Sequence, residues 1–249
     1  MTAAQLIWVS GASRGIGQAL LRTLPWPQAR VLDISRSGPG EVGIEHVAAD
    51  LSSHEGWNAA AASFTLEAAG FDGERIAFVH CAGALAPIGF AAEVDLAAYT
   101  RTVLLDSAAP QVLGAAFLRA VAPLGIEAHL VMLTSGAARS VYPGWSAYGA
   151  GKAALDQWVR DVGAELDLRG SSCRVIAVAP GVVATEMQEQ IRATSPHDFP
   201  QVDKFVDLHE RGELRAPDDA ARSIWRLLDT ELPNGVVIDL RDVEPAARP

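Results

Sequence analysis

The chain holds only two cysteines, Cys81 and Cys173, and neither belongs to a Cys-x-x-Cys pair. That excludes a disulfide scaffold, and two free thiols in apolar runs fit a reducing compartment. Basic residues are outnumbered, 20 Lys and Arg against 30 Asp and Glu, for a formal net charge of -10. With no cluster of five or more basic residues, neither nucleic acid nor an anionic membrane surface is expected as a partner. The six histidines are scattered and form no His-Glu-x-x-His, so no metal site is expected. No apolar run approaches a bilayer span; Arg119 and Glu127 interrupt the longest candidate. No basic leader precedes the first apolar run at 6–9, and a cytoplasmic protein is the expectation.

What the chain has is a large apolar fraction, 49% of 249 residues, enough to bury the core of one α/β domain. Strand-like runs recur at 6–9, 30–34, 44–47, 76–80, 129–133, 173–178 and 235–240. Several are continuously apolar, as strands covered on both faces must be. Helical stretches lie between them, the longest at 94–121 and 147–168. The alternation predicts a single doubly wound Rossmann-type domain over 1–242, with a parallel sheet of about seven strands flanked by helices. Residues 243–249 read as a disordered tail. The segment 186–215 is an insertion that could close over a ligand or simply pack as surface helix.

Ligands of such a sheet bind beyond the carboxyl ends of its strands. There the first strand runs into Gly11-Ala-Ser-Arg-Gly15-Ile-Gly17. Gly11 permits a tight turn, Gly15 and Gly17 let backbone approach a phosphate, and the next helix aims free N–H groups at it. The second strand ends in Asp33-Ile-Ser35-Arg36. Two guanidiniums, Arg14 and Arg36, near one ribose favour a 2'-phosphate and hence NADP(H) over NAD. Asp33 is the competing ribose acid, but it arrives two residues early; its plain reading is a polar residue on the strand's exposed side.

A second constellation follows the fifth strand. Tyr148 and Lys152 lie four apart at a helix start, so phenol and ammonium share one face. The ammonium favours phenolate and makes the phenol a better acid. Ser135, at the end of the 129–133 strand, could hold a carbonyl oxygen beside them. Trp145 could line the substrate pocket or belong to the core.

Taken together, Gly11-x-x-x-Gly15-x-Gly17, Asp50-Leu51, Ala82-Gly83, Ser135, Tyr148-x-x-x-Lys152 and Pro180-Gly181 with Thr185 resemble the short-chain dehydrogenase/reductases. The segments around Tyr148 and Pro180 are similar to the sepiapterin reductase and benzil reductase-like members. The resemblance implies reduction of a small-molecule carbonyl compound, with Ser135, Tyr148 and Lys152 as the catalytic residues. It implies a cofactor site of Gly11, Ser13, Arg14, Gly15, Ile16, Gly17, Ser35, Arg36, Asp50, Leu51, Cys81, Ala82, Gly83, Tyr148, Lys152, Pro180, Gly181, Val183, Thr185 and Met187. Asp50 would contact the adenine, and Lys152 the nicotinamide ribose. Substrate would meet Ser135, Trp145, Tyr148 and Asp239, the last as a pterin anchor or merely as the cap of the last strand. A homodimer or homotetramer through the long helices is implied as well.

Two departures from the family pattern stand out. His80-Cys81-Ala82-Gly83 replaces Asn-Asn-Ala-Gly, which removes a strand-strand hydrogen bond. Leu104 occupies the position aligned with a proton-relay asparagine, and Asp106, about 200° further round an α-helix, cannot replace it. A catalytically impaired NADP-binding sensor therefore stands as the rival reading, with an NAD-dependent alcohol dehydrogenase as a third.

Overall fold

The computed structural model describes residues 4–41 and 43–243. Seven strands form one parallel sheet in the order β3-β2-β1-β4-β5-β6-β7. They are β1 (Gln5–Ser10), β2 (Arg30–Ser35), β3 (Glu45–Ala48), β4 (Arg75–His80), β5 (Glu127–Leu133), β6 (Cys173–Ala179) and β7 (Val237–Asp239). Helices α1 (Gly15–Arg22) and α8 (Pro217–Leu228) pack together on one face of the sheet. On the other lie α2 (His54–Ala68), α4 (Ala109–Val121) and α5 (Ser146–Leu168).

Alternation along the strands divides the core between these faces. Leu6 and Trp8 of β1 join Phe64, Phe78 and Phe117 on one side. Ile7 and Val9 join Leu20, Ile224 and Trp225 on the other. Each such side chain contributes roughly 1.5–3 kcal/mol through burial, an upper estimate for an extended unfolded chain. The continuously buried β1, β4 and β6 explain the unbroken apolar runs in the sequence.

Three expectations change. The predicted helix over 94–121 is three pieces: α3 (Leu96–Val103), a wide turn (Leu104–Ala108) and α4. Pro110 has no N–H to give to the carbonyl four residues back, at Asp106. The chain widens instead, and the Ala109 N–H bonds the Leu104 carbonyl five residues back. The strand expected at 235–240 shortens to β7, because Gly235 takes a left-handed φ of 75° and gives its N–H to the Val175 carbonyl. At the sheet edge, β3 is shifted by one residue and mostly exposed. Its Glu45 is clamped by Arg30 at 2.6 and 2.7 Å.

The 186–215 insertion carries α6 (Glu186–Arg192) and α7 (Val202–Glu210). They build a third apolar cluster around Trp145, Tyr148, Ile191, Phe199 and Phe205. Of the expected tail, Val243 closes the short α9 (Leu240–Val243); residues 244–249 lie outside the described residues. No helix among the described residues is long and apolar enough to cross a membrane.

Candidate active site

The strand order reverses direction between β1 and β4, and the loops leaving these two strands part there to form a crevice. A cleft of about 750 Å³ opens at that point. Gly11, Ser13, Arg14, Gly15, Ile16, Gly17, Ser35, Arg36, Asp50, Leu51, Cys81, Ala82, Gly83, Thr185 and Met187 all border it. Pro180, Gly181 and Val183, which follow β6, are not part of this lining, and neither are Ser135, Tyr148 and Lys152.

The glycines are required by contact. A Cβ on Gly11 would sit 2.8 Å from the Ala82 Cα, so the ends of β1 and β4 meet only because no side chain intervenes. A Cβ on Gly17 would collide with the Gly11 carbonyl. Gly15, at a φ of 57°, starts α1, so the free N–H groups of that helix face the cleft. This cradle, its glycines and its size fit a nicotinamide dinucleotide.

The loss of the family's amide after β4 is repaired from β1. The Ser10 hydroxyl accepts from Cys81 N at 3.1 Å and Ala82 N at 3.2 Å, and it pairs with His80 Nδ1 at 2.9 Å. Burial depresses the His80 pKa to about 3, so this imidazole is a neutral structural partner. Nothing in the bare pattern marked Ser10, because its role depends on the register of β1 against β4.

At the adenosine end, Asp33 is fully buried rather than on an exposed side. Its carboxylate accepts from Ala12 N at 3.1 Å and Ser35 Oγ at 2.6 Å, and pairs with His46 Nδ1 at 2.9 Å. Ser35 borders the cleft, and its hydroxyl donates to Asp33. Arg36 remains exposed at the cleft wall, joined by Arg101. Both pull the Asp50 carboxyl below its usual range, though hydrogen bonds from Ser52 do so more strongly. Arg14 is exposed and paired with Glu186 at 2.6 Å.

At the other end, α5 presents Tyr148 and Lys152 one turn apart, both buried. The Lys152 ammonium lies 5.7 Å from the Tyr148 ring centre and donates to the Leu133 carbonyl at 3.0 Å. Ser135 follows β5 and caps the turn beyond it, its hydroxyl accepting from Ala137 N at 3.1 Å. Burial raises the Tyr148 pKa, and ionised Asp106 would raise it further; Lys152 and the neighbouring Ser135 hydroxyl pull the other way. The expected net acidification is therefore not what this pocket does alone: desolvation outweighs the ammonium.

The relay position needs correction. Leu104 packs into the core beside the sheet. Asp106 instead lies toward Lys152, fully buried, its Oδ1 accepting from Ala84 N at 3.0 Å. The 200° offset assumed a regular α-helix, and the wide turn removes that premise. Pro110, four residues on, is the sequence signal that could have shown it.

Trp145 is buried and stacks on Phe199, with ring centres 4.5 Å apart and planes at 4°. It also meets Tyr148 edge-on at 6.0 Å, so it belongs both to the core and to the surroundings of the phenol. Asp239 is buried and engaged by Arg241 at 2.6 and 2.9 Å, with Arg139 at 3.9 Å. Hydrogen bonding to Arg241 holds its carboxyl below the usual range.

The sequence model described as short chain dehydrogenase matches residues 5–196. The chain belongs to the short-chain dehydrogenase family. Enzymes of this family use nicotinamide cofactors. The chain is 32% identical over 245 residues to the benzil reductase ((S)-benzoin forming) of Bacillus subtilis (strain 168), covering 96% of this chain and 99% of that protein. It is 28% identical over 246 residues to the sepiapterin reductase of Xenopus laevis, covering 90% of each. Among solved structures, that of the KRED1-Pglu enzyme matches with a TM-score of 0.80 at 26% identity, over 94% of this chain and 100% of the other. These likenesses support carbonyl reduction in general.

Proposed function

We propose that this oxidoreductase reduces an aromatic ketone or diketone at the expense of NADPH. The observation that carries the reading is Tyr148 and Lys152 on one helical face beside Ser135, with Lys152 bonded to the carbonyl of Leu133, a residue that borders the glycine-lined cleft. The bound nicotinamide supplies the hydride. Ser135 and Tyr148 orient the substrate carbonyl by hydrogen bonding to its oxygen. Tyr148 gives its phenolic proton to that oxygen as negative charge develops there, and Lys152 stabilises the phenolate left behind. The buried walls exclude water and strengthen that attraction.

NADPH is favoured over NADH by the chemistry of the β2 end. Asp33 is enclosed by three partners and presents no free acid to a ribose, whereas the exposed Arg36 offers a fork for a phosphate. The rings of Tyr142, Phe199 and Phe205 cluster around Trp145, which meets Tyr148 edge-on, and this apolar surrounding suits an aromatic carbonyl compound. A pterin anchored on Asp239 is less favoured, because Arg241 already occupies both carboxylate oxygens. Assembly as a homodimer or homotetramer completes the proposal; exposed Leu96, Val103 and Val112 on α3 and α4 offer an apolar face for it. The test is oxidation of NADPH and of NADH with benzil, sepiapterin and simple aldehydes in parallel. Fast turnover of benzil with NADPH is expected. Turnover of sepiapterin alone, or with NADH alone, would refute the corresponding half of the reading.

A further inference from the structure

Asp106 is a buried acid that the mechanism above does not use. It is fully buried, and its Oδ2 has no hydrogen-bond partner. Two glycines make room for it. A Cβ on Gly151 would lie 2.9 Å from the Asp106 Cβ, and one on Gly83 would lie 2.9 Å from Oδ1. That same Gly83 position is 3.4 Å from Lys152 Nζ, so carboxyl and ammonium share one small space beneath the β4 loop. The wide turn between α3 and α4 directs the side chain into it.

The groups facing Asp106 are few. Helix α5 presents Lys152 and Tyr148. At the end of β4, His80 and Cys81 feel the same Lys152 and are both held neutral by burial. The adjoining turns of α3 and α4 bring no charge that acts on it, so among the described residues Lys152 is its one charged influence.

We propose that Asp106 is a positioning residue that tunes the proton donor through Lys152. As a neutral acid it leaves the ammonium's field on Tyr148 intact; as a carboxylate it opposes that field and slows proton donation. The direction follows from Coulomb's law, since a negative charge near a phenol disfavours phenolate. The acid exchanges its proton with solvent between turnovers, and no other bond changes. Burial raises its pKa to about 6, which puts the change inside the working range of pH.

The inference rests on the reductase reading, and one experiment separates the two. kcat and KM for benzil with NADPH are measured from about pH 5 to pH 8 for the wild type and Asp106→Asn. The wild-type kcat is expected to fall about 3- to 10-fold as pH rises through that range, with KM nearly constant, as partial Brønsted sensitivity to donor acidity requires. Asp106→Asn is expected to remove this limb and to exceed the wild type by a similar factor at pH 8. An unchanged limb in the variant, or a uniform loss at every pH, overturns the proposal. Should the variant not fold, a flat wild-type kcat across the range overturns it. Absence of any carbonyl reduction by the wild type would instead defeat the reductase reading itself.

Discussion

Removing the Ser10 hydroxyl tests how the two strand ends at the switch point are held. Ser10→Ala deletes one oxygen that serves Cys81 N at 3.1 Å, Ala82 N at 3.2 Å and His80 Nδ1 at 2.9 Å. Ser10 and His80 are both buried, so water cannot easily replace it. Each ordinary hydrogen bond is worth about 1 kcal/mol net, and a buried group left without a partner costs about 1–3 kcal/mol. His80 Nε2 already lacks a partner, so this ring would have none. A loss of about 2–4 kcal/mol of unfolding free energy follows, allowing for some relaxation. Urea denaturation at neutral pH measures it through the midpoint at constant slope. Because Ala82 and Gly83 border the cleft, NADPH is expected to bind more weakly in the variant as well. A midpoint shift equivalent to under about 0.5 kcal/mol would refute the reasoning, since that is the size of an ordinary surface change.

Two further perturbations address charge. The Asp106 carboxyl, raised to about 6, binds its proton more tightly folded than unfolded, so wild-type stability drains away as pH climbs from its unfolded pKa near 3.8 towards 6. Asp106→Asn should therefore gain on the wild type over that interval, by up to about 3 kcal/mol, and hold a constant difference above it; a difference independent of pH in denaturation experiments would contradict this. Arg36→Ser should weaken NADPH binding by about tenfold or more while leaving NADH nearly unaffected, as titration of cofactor fluorescence would report; equal weakening of both would remove Arg36 from the phosphate site.

Much of the fold was legible because burial on two faces forces unbroken apolar runs, as in β1, β4 and β6. The glycine loop was equally legible, since backbone contact between Gly11 and Ala82 tolerates nothing larger. Features set by three-dimensional register were harder to read. The exclusion of Asp106 by its 200° offset from Leu104 assumes a uniform helix, and one wide turn before Pro110 removes that premise. Asp33 reads as a polar residue on the exposed side of its strand, but Ala12 N and His46, from separate elements, close around its buried carboxylate. The pattern leaves Asp239 open between a pterin anchor and the cap of the last strand, because nothing in it says that Arg241, two residues on, folds back onto the carboxylate. Ser10 was invisible for the same reason, its partners lying 70 residues away in the chain.

Single-turnover transfer of labelled hydride from NADPH to benzil, by the wild type and by Tyr148→Phe, bears most directly on the proposed chemistry. The account expects rapid labelling of the product alcohol by the wild type and a rate at least about 100-fold lower in the variant, with cofactor affinity preserved. Equal rates in the two proteins would contradict it.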